Sequence, residues 1–466
     1  MSVRNFRASL FVAALAMCAA QINVAFGQNQ GGGNNGGNVG GVGIISTGAV
    51  GGVSINVDGV LSNAEVDQLT GLHDARQQAM QGVAADMKRF SELRKVSLRG
   101  LQEAIAAHRA KSPNTPLPDD LQMLAGLQRI QYVFVYPEQQ DIVIAGPAEG
   151  WAINDAGYIV GQSTGRAVMR LEDFAVAMRT GRSAANGGLS CSIDPTADGM
   201  RNLQQFVASI PAGADINASI AGIEESLGPQ TVSVNGVDPT TPFAHILVAA
   251  DYRMKRLAMG FDAPPIPGLP NYLAMIKAGS RGVQNMTPRW WLAPNYDPLL
   301  KDSDGLAWEL RGAGVKAMTE DDFFAADGSR THTGKASAMA QKWSDNMTKV
   351  YEKLSVADPI FAELRNVMDM AVVAALISKE QLAEKANCSL DVLMDTNAVP
   401  VQQLNAPKTV PTQANFVKKG RDYVISASGG VQINSWLIAD QKEVSADMAP
   451  VRDNAAKTRQ GNWWWD

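Results

Sequence analysis

Residues 241–270, TPFAHILVAADYRMKRLAMGFDAPPIPGLP, limit the fold most tightly, because the start, the buried face and the end of a helix are all written there. Thr241 is a good N-cap, and Pro242 suits the first helical position, where a missing N–H costs nothing. On a 3.6-residue wheel Phe243, Ile246, Leu247, Ala250, Met254, Leu257, Ala258 and Phe261 form one apolar stripe. That spacing predicts a central amphipathic helix over 241–260 with one face in a core. Gly260 stops it, and Pro264, Pro265, Pro267 and Pro270 stiffen the exit. Asp251 and Arg253 fall at the edges of the stripe. Asp251 also precedes Lys255 by four residues, the order of a helix-surface ion pair worth roughly 0.3–0.5 kcal/mol.

A second helix is predicted over 359–385. Asp358-Pro359 repeats the cap-then-proline device, and residues 370–377 are apolar nearly all round, as in a buried spine. Helical patterns also cover 63–90, 97–111, 171–179, 196–210 and 335–356. Thr319-Glu320-Asp321-Asp322 reads as a capping-box start with its acids in a first helical turn. Strand patterns cover 53–57, 132–136, 141–145, 151–153, 158–160, 189–193, 231–234, 289–292 and 307–315, with a last pair over 423–433 broken at Gly429-Gly430. Strands and helices mix without a steady βα alternation or a repeat, so the expected class is α+β, with short strands and helices around a large core.

The ends carry other signals. Arg4 and Arg7, an uncharged run over 8–20 and Ala25-Phe26-Gly27 have the order of a secretory signal cleaved after Gly27. A lipoprotein reading at Leu15-Ala16-Met17-Cys18 is disfavoured by the bulk of Met17. Residues 28–52 are Gly- and Asn-rich without charge and read as a tether. An N-terminal α+β segment over 53–120, a main α+β domain over 121–395, a linker with the strand pair over 396–440 and a tail over 441–466 complete the expected organisation. No later apolar run reaches the roughly 18 residues of a membrane span. Without residues 1–27 the chain holds 39 basic and 46 acidic residues, a net charge of −7 that argues against nucleic acid as a general partner. Cys191 and Cys388 are the cysteines of the exported chain, and in an oxidising compartment they form either one disulfide or a pair of buried free thiols.

Tyr136-Pro137-Glu138, the run DIVIAGPAEGW over 141–151, ADYRMKR over 250–256, PRWWL over 288–292 and LRNVMD over 364–369 together resemble a secreted planctomycete family known as a domain of unknown function. The resemblance spans roughly 121–436. It implies export and a planctomycete-like source, and it brings neither an activity nor a catalytic residue.

Residues that could carry chemistry are few. Gly161-Gln162-Ser163-Thr164-Gly165 matches the nucleophile-elbow pattern, yet residues 166–170 alternate like a strand where a helix should open, which fits a Gly-bounded hairpin turn better. His245 and His332 lie downstream as bases for Ser163. Gly328 to Lys335 has one residue too many between its glycines for a phosphate loop, and Ala336 stands where a metal-binding hydroxyl is required. His73, His108, His245 and His332 fall in no ligand spacing with each other or with the cysteines, so the sequence supports no metal and no cofactor. His108 and His245 read as polar-face helix residues. Asp251, Arg253, Arg365 and Asp369 read as a structural ion-pair network joining the two principal helices, with a carboxylate pair, Asp251 and Asp369, as the catalytic alternative.

Trp290-Trp291 and the three tryptophans Trp463, Trp464 and Trp465 are the partner-binding candidates. Three adjacent indoles do not stay in water, and the tail is expected to dock on a partner more than on the chain's own body. The reading that follows is a non-enzymatic exported binding or assembly component of the cell envelope, with an envelope protein or polysaccharide as partner. The alternative is a hydrolase of an envelope polymer, using Ser163 or the two carboxylates.

Overall fold

Thr241 Oγ1 accepts a hydrogen bond from the Ala244 N–H at 3.3 Å, and the helix it caps runs Pro242–Met259 to Gly260, whose φ of 72° closes it in the left-handed region. The computed structural model of the chain describes residues 49–50, 52–63, 87–154, 157–211, 219–276, 286–419, 422–425, 428–457 and 464–466. The signal segment, most of the tether, nearly all of the helix expected over 63–90, and Trp463 lie outside the described residues.

The class is α+β. One sheet has seven strands in the order Arg330–His332, Gly314–Phe324, Met286–Asn295, Ser428–Ile433, Leu189–Asp194, Gln230–Asn235, Thr409–Val410. A second has six, in the order Lys442–Val444, Leu299–Lys301, Ala307–Glu309, Tyr132–Tyr136, Asp141–Ala148, Ser91–Ser97, and three smaller sheets of two or three strands complete the described β structure. The central helix packs on strands Leu189–Asp194 and Ser428–Ile433, with the spine helix Pro359–Lys379 on its other side. This sandwich buries every residue of the central helix except Arg253, so its surroundings are drier than one amphipathic face requires. Fully burying each of its large apolar side chains contributes about 1.5–3 kcal/mol.

Four expectations need correction. The spine helix ends at Lys379, and Gln381, with φ 53°, turns the chain into a separate helix, Leu382–Ala386. Residues 314–324 form one long strand, so Glu320, Asp321 and Asp322 are not in a helical turn; the ladder with Met286–Asn295, in which Arg289 faces Glu320, overrides the local capping signal. Gly429-Gly430 does not break a strand but lies inside Ser428–Ile433. A Cβ at Gly429 would overlap the Trp290 carbonyl oxygen, and one at Gly430 the Cys191 carbonyl oxygen, so glycine lets the three strands close up. The ladders also cross the boundaries expected near 120 and 395, since Ser91–Ser97 pairs with Asp141–Ala148 and Ser428–Ile433 fills the middle of the seven-stranded sheet.

Candidate functional site

Ser163 sits in a turn closed by the Gly165 N–H on the Gly161 carbonyl, and the following helix begins only at Leu171. Its hydroxyl and its N–H both donate to Glu149 Oε2, while the N–H and hydroxyl of Thr164 and the Gln128 amide donate to Oε1. Burial alone would raise the Glu149 carboxyl, but these donors outweigh it and hold it below the ordinary range. The hydroxyl of Ser163 thus latches a turn to a buried carboxylate.

The charged candidates are paired, though not with one another. Asp251 and Lys255 are both wholly buried, 2.8 Å apart, and the Lys255 ammonium also donates to the carbonyls of Ile193 and Gly429. This corrects the surface pair expected from their spacing. Burial pushes the Asp251 carboxyl up to about 6 against the pull of Lys255. Arg253 meets Asp358, the N-cap of the spine helix, at 2.6 Å and also bonds Asp262, so it ties the two principal helices. Arg365 pairs with Glu352, and Asp369 takes a two-pronged contact from Arg129 at 3.0 Å plus the Tyr296 hydroxyl at 2.5 Å. His245 is not on a polar face: it is buried, which lowers its pKa to about 4 despite hydrogen bonds to backbone at Asn405 and Pro239.

Cys191 and Cys388 are both free and buried. Cys191 is on the sheet under the central helix, whereas Cys388 follows the Leu382–Ala386 helix and lines a cavity of about 300 Å³ with Arg99, Gln102 and Asn387. Burial raises both thiols, Cys388 to about 11, which disfavours the thiolate at neutral pH. Ser163, Asp251 and Asp369 are not among the residues that line this cavity.

The two adjacent tryptophans divide between the faces of the seven-stranded sheet, as successive strand residues must. Trp290 is buried against Trp343 and Tyr272, with ring centroids 4.9 and 4.8 Å away, so it is core and not a partner contact. Trp291 is half-buried on the other face, which the central helix does not cover. There, strand Leu189–Asp194 alternates buried and half-buried residues, and Thr231, Ser233 and Asn235 of the next strand are exposed. Register places Met318, Trp291, Gly430, Ser192 and Ser233 in a straight row across five strands, an indole beside a strip of small residues. Arg289 lies over the Trp291 ring, 4.9 Å from its centre, and bonds Glu320 at 3.2 Å.

Beside that row is a constellation the sequence reading passed over. Asp322 faces His332 across the ladder and Glu320 is two residues before Asp322, so all three side chains share the outer face. Their donor atoms lie within 4.8 Å of one another. Asp194 on the same face is joined through Arg330, at 2.6 Å, to Asp322, 3.8 Å from the same guanidinium. The usable signal was the i, i+2 acid spacing on a strand, which a helical reading of 319–322 hides.

The tail docks on the chain's own body, contrary to expectation. Trp464, Trp465 and Asp466 run antiparallel to the edge strand Ser91–Ser97: Ser97 N–H donates to Trp464 O at 2.8 Å, and Lys95 and Asp466 exchange backbone bonds at 3.2 and 3.0 Å. Asp466 also pairs with the Lys95 ammonium at 2.6 Å, and Arg94 lies 5.3 Å from the Trp465 ring centre.

Among the described residues no helix is long and apolar enough to cross a membrane. Residues 191–272, from Cys191 on the sheet through the central helix to Tyr272, match the family described as Protein of unknown function (DUF1598). No curated protein and no solved structure matches the chain.

Proposed function

We propose that this chain is a non-enzymatic binding component of an exported, envelope-associated assembly, and that its ligand is an extended polar polymer, a polysaccharide, lying across the outer face of the seven-stranded sheet. The observation that carries the reading is the row from Met318 through Trp291 and Gly430 to Ser233, in which one large ring borders a strip without bulky side chains. An indole offers a flat apolar surface to a sugar ring, and the serines and the Arg289–Glu320 pair supply donors and acceptors for its hydroxyls. The signal-like order of Arg4, Arg7 and the uncharged run over 8–20 supports export. Holding Ser163, Asp251 and Asp369 in separate closed networks supports binding over hydrolysis.

Co-sedimentation with insoluble envelope polysaccharide, using the untagged chain from residue 28 beside Trp291→Ala, tests this. Retention of the parent and at least a tenfold loss in Trp291→Ala is the expected result. Equal retention of both, or none of either, defeats the reading.

A further inference from the structure

We infer that Glu320, Asp322 and His332 form a binding site for a divalent transition-metal ion of the Zn²⁺ type on the outer sheet face. His332 Nδ1 lies 2.7 Å from Asp322 Oδ1, in a hydrogen bond that an ion would replace, and 3.3 Å from Glu320 Oε1, so one nitrogen and two carboxylate oxygens lie close enough together to share an ion. The fold fixes this convergence through backbone register alone. Asp322 and His332 are cross-strand partners, and Glu320 stands two residues away on the same strand and face.

The outer contacts point the same way. Ser428, two strands away in the sheet, donates its hydroxyl to Asp322 Oδ2 at 2.9 Å, and the Gly334 N–H donates to Glu320 Oε2 at 3.2 Å. Each carboxylate turns one oxygen to His332 while a donor outside the trio holds the other; Glu320 Oε1 is shared with Arg289, and Arg330 stands 3.8 Å from Asp322 Oδ2, so an ion here enters beside two guanidinium groups. Orienting bonds of this kind to a ligating carboxylate set its angle and commonly matter about 10–100-fold in metal affinity. Asp322 is wholly buried while half of His332 is exposed, so the trio has a fixed floor and an open approach. Imidazole with two carboxylates suits Zn²⁺ or Mn²⁺ better than Ca²⁺, which prefers oxygen alone. Three protein ligands leave positions for water or a ligand oxygen. Arg289 competes, since its guanidinium bonds the same Oε1 that the ion would take.

The site stands whether or not a polymer covers the sheet, and it is tested without one. Calorimetric titration of Zn²⁺, and separately of Co²⁺ followed by its visible absorption, is made on the untagged, chelator-stripped chain from residue 28. One saturable site per chain is expected, weakened at least tenfold in His332→Ala and in Glu320→Gln. Ser428→Ala should weaken it by a smaller factor, and Arg289→Gln should tighten it by removing the competing cation. A merely structural acid cluster would not produce that last result. His332 is half-exposed on an edge strand, so its alanine variant keeps its fold, and a matched melting curve verifies this. No saturation by about 1 mM, undiminished binding in His332→Ala, or a preference for Ca²⁺ over Zn²⁺ each overturns the assignment.

Discussion

Lys255 Nζ lies 2.8 Å from Asp251 Oδ2 with neither side chain exposed, one helical turn apart under the centre of the seven-stranded sheet. Their spacing is that of a surface pair worth a few tenths of a kcal/mol, but removing one partner from a buried pair costs about 3–5 kcal/mol. Lys255→Met is expected to destabilise by that amount in denaturant unfolding. Pairing it with Asp251→Leu should recover much of the loss, because no charge is then stranded. A double variant as unstable as the sum of the single ones would contradict this.

The Ser163 hydroxyl serves the turn. Ser163→Ala should cost about 1.5–3 kcal/mol, the range for a hydrogen bond to a charged group, and leave binding to any polymer unchanged. Loss of an activity without loss of stability would return Ser163 to the nucleophile role.

Glu363 gives a pH effect with a definite sign. Burial raises its carboxyl from 4.5 to about 7, with Arg170 opposing and Asp173 adding to the rise, and its Oε2 has no hydrogen-bond partner. The folded state therefore holds this proton more tightly than the unfolded chain does. Its stabilising contribution is complete below about 4.5 and is lost as pH rises through about 7. Partial exposure limits it to about 1–2 kcal/mol. Thermal melts from pH 4.5 to 8 should show this decline in the parent and a shallower one in Glu363→Gln. Identical profiles would place the proton elsewhere.

Deleting Trp464–Asp466 removes the partners of Lys95 and Ser97 along the outer edge of strand Ser91–Ser97, whose inner edge stays paired with Asp141–Ala148. An unpaired edge accepts another strand, so the deletion should drive self-association at tens of micromolar, read by light scattering after gel filtration. A strictly monomeric deletion would mean that the tail does not protect the edge.

What could be read in advance follows the range of the forces. Thr241, Pro242 and Gly260 mark the central helix because caps act over three or four residues, and Thr241 and Gly260 close it as expected. The acids at 320–322 satisfy a helix-start pattern equally well, and their conformation is decided by Arg289 some thirty residues earlier and Ser428 a hundred later. For the same reason Asp251 and Lys255 were legible as a pair but not as a buried one, and Arg253, Arg365 and Asp369 were legible as paired charges but not by their partners. Asp369 finds Arg129, 240 residues away in sequence, through sheet and helix packing that no local spacing encodes. Trp290 and Trp291 were separable in principle, since neighbours on a strand face opposite ways, and only the identity of the core face was missing.

The seven-stranded sheet is joined at its middle by Ser428–Ile433, which lies between strands that precede it in the chain by more than a hundred residues. While the chain is being made, the Met286–Asn295 and Leu189–Asp194 sides have no neighbour to share until almost all of it has emerged. Closure of the sheet across its middle is therefore expected to be a late and slow step, as long loops must close before the contacts that reward them form. Until residue 433 is free, the two halves of this sheet present open edges to each other, and the strand that joins them is the last of the seven to arrive.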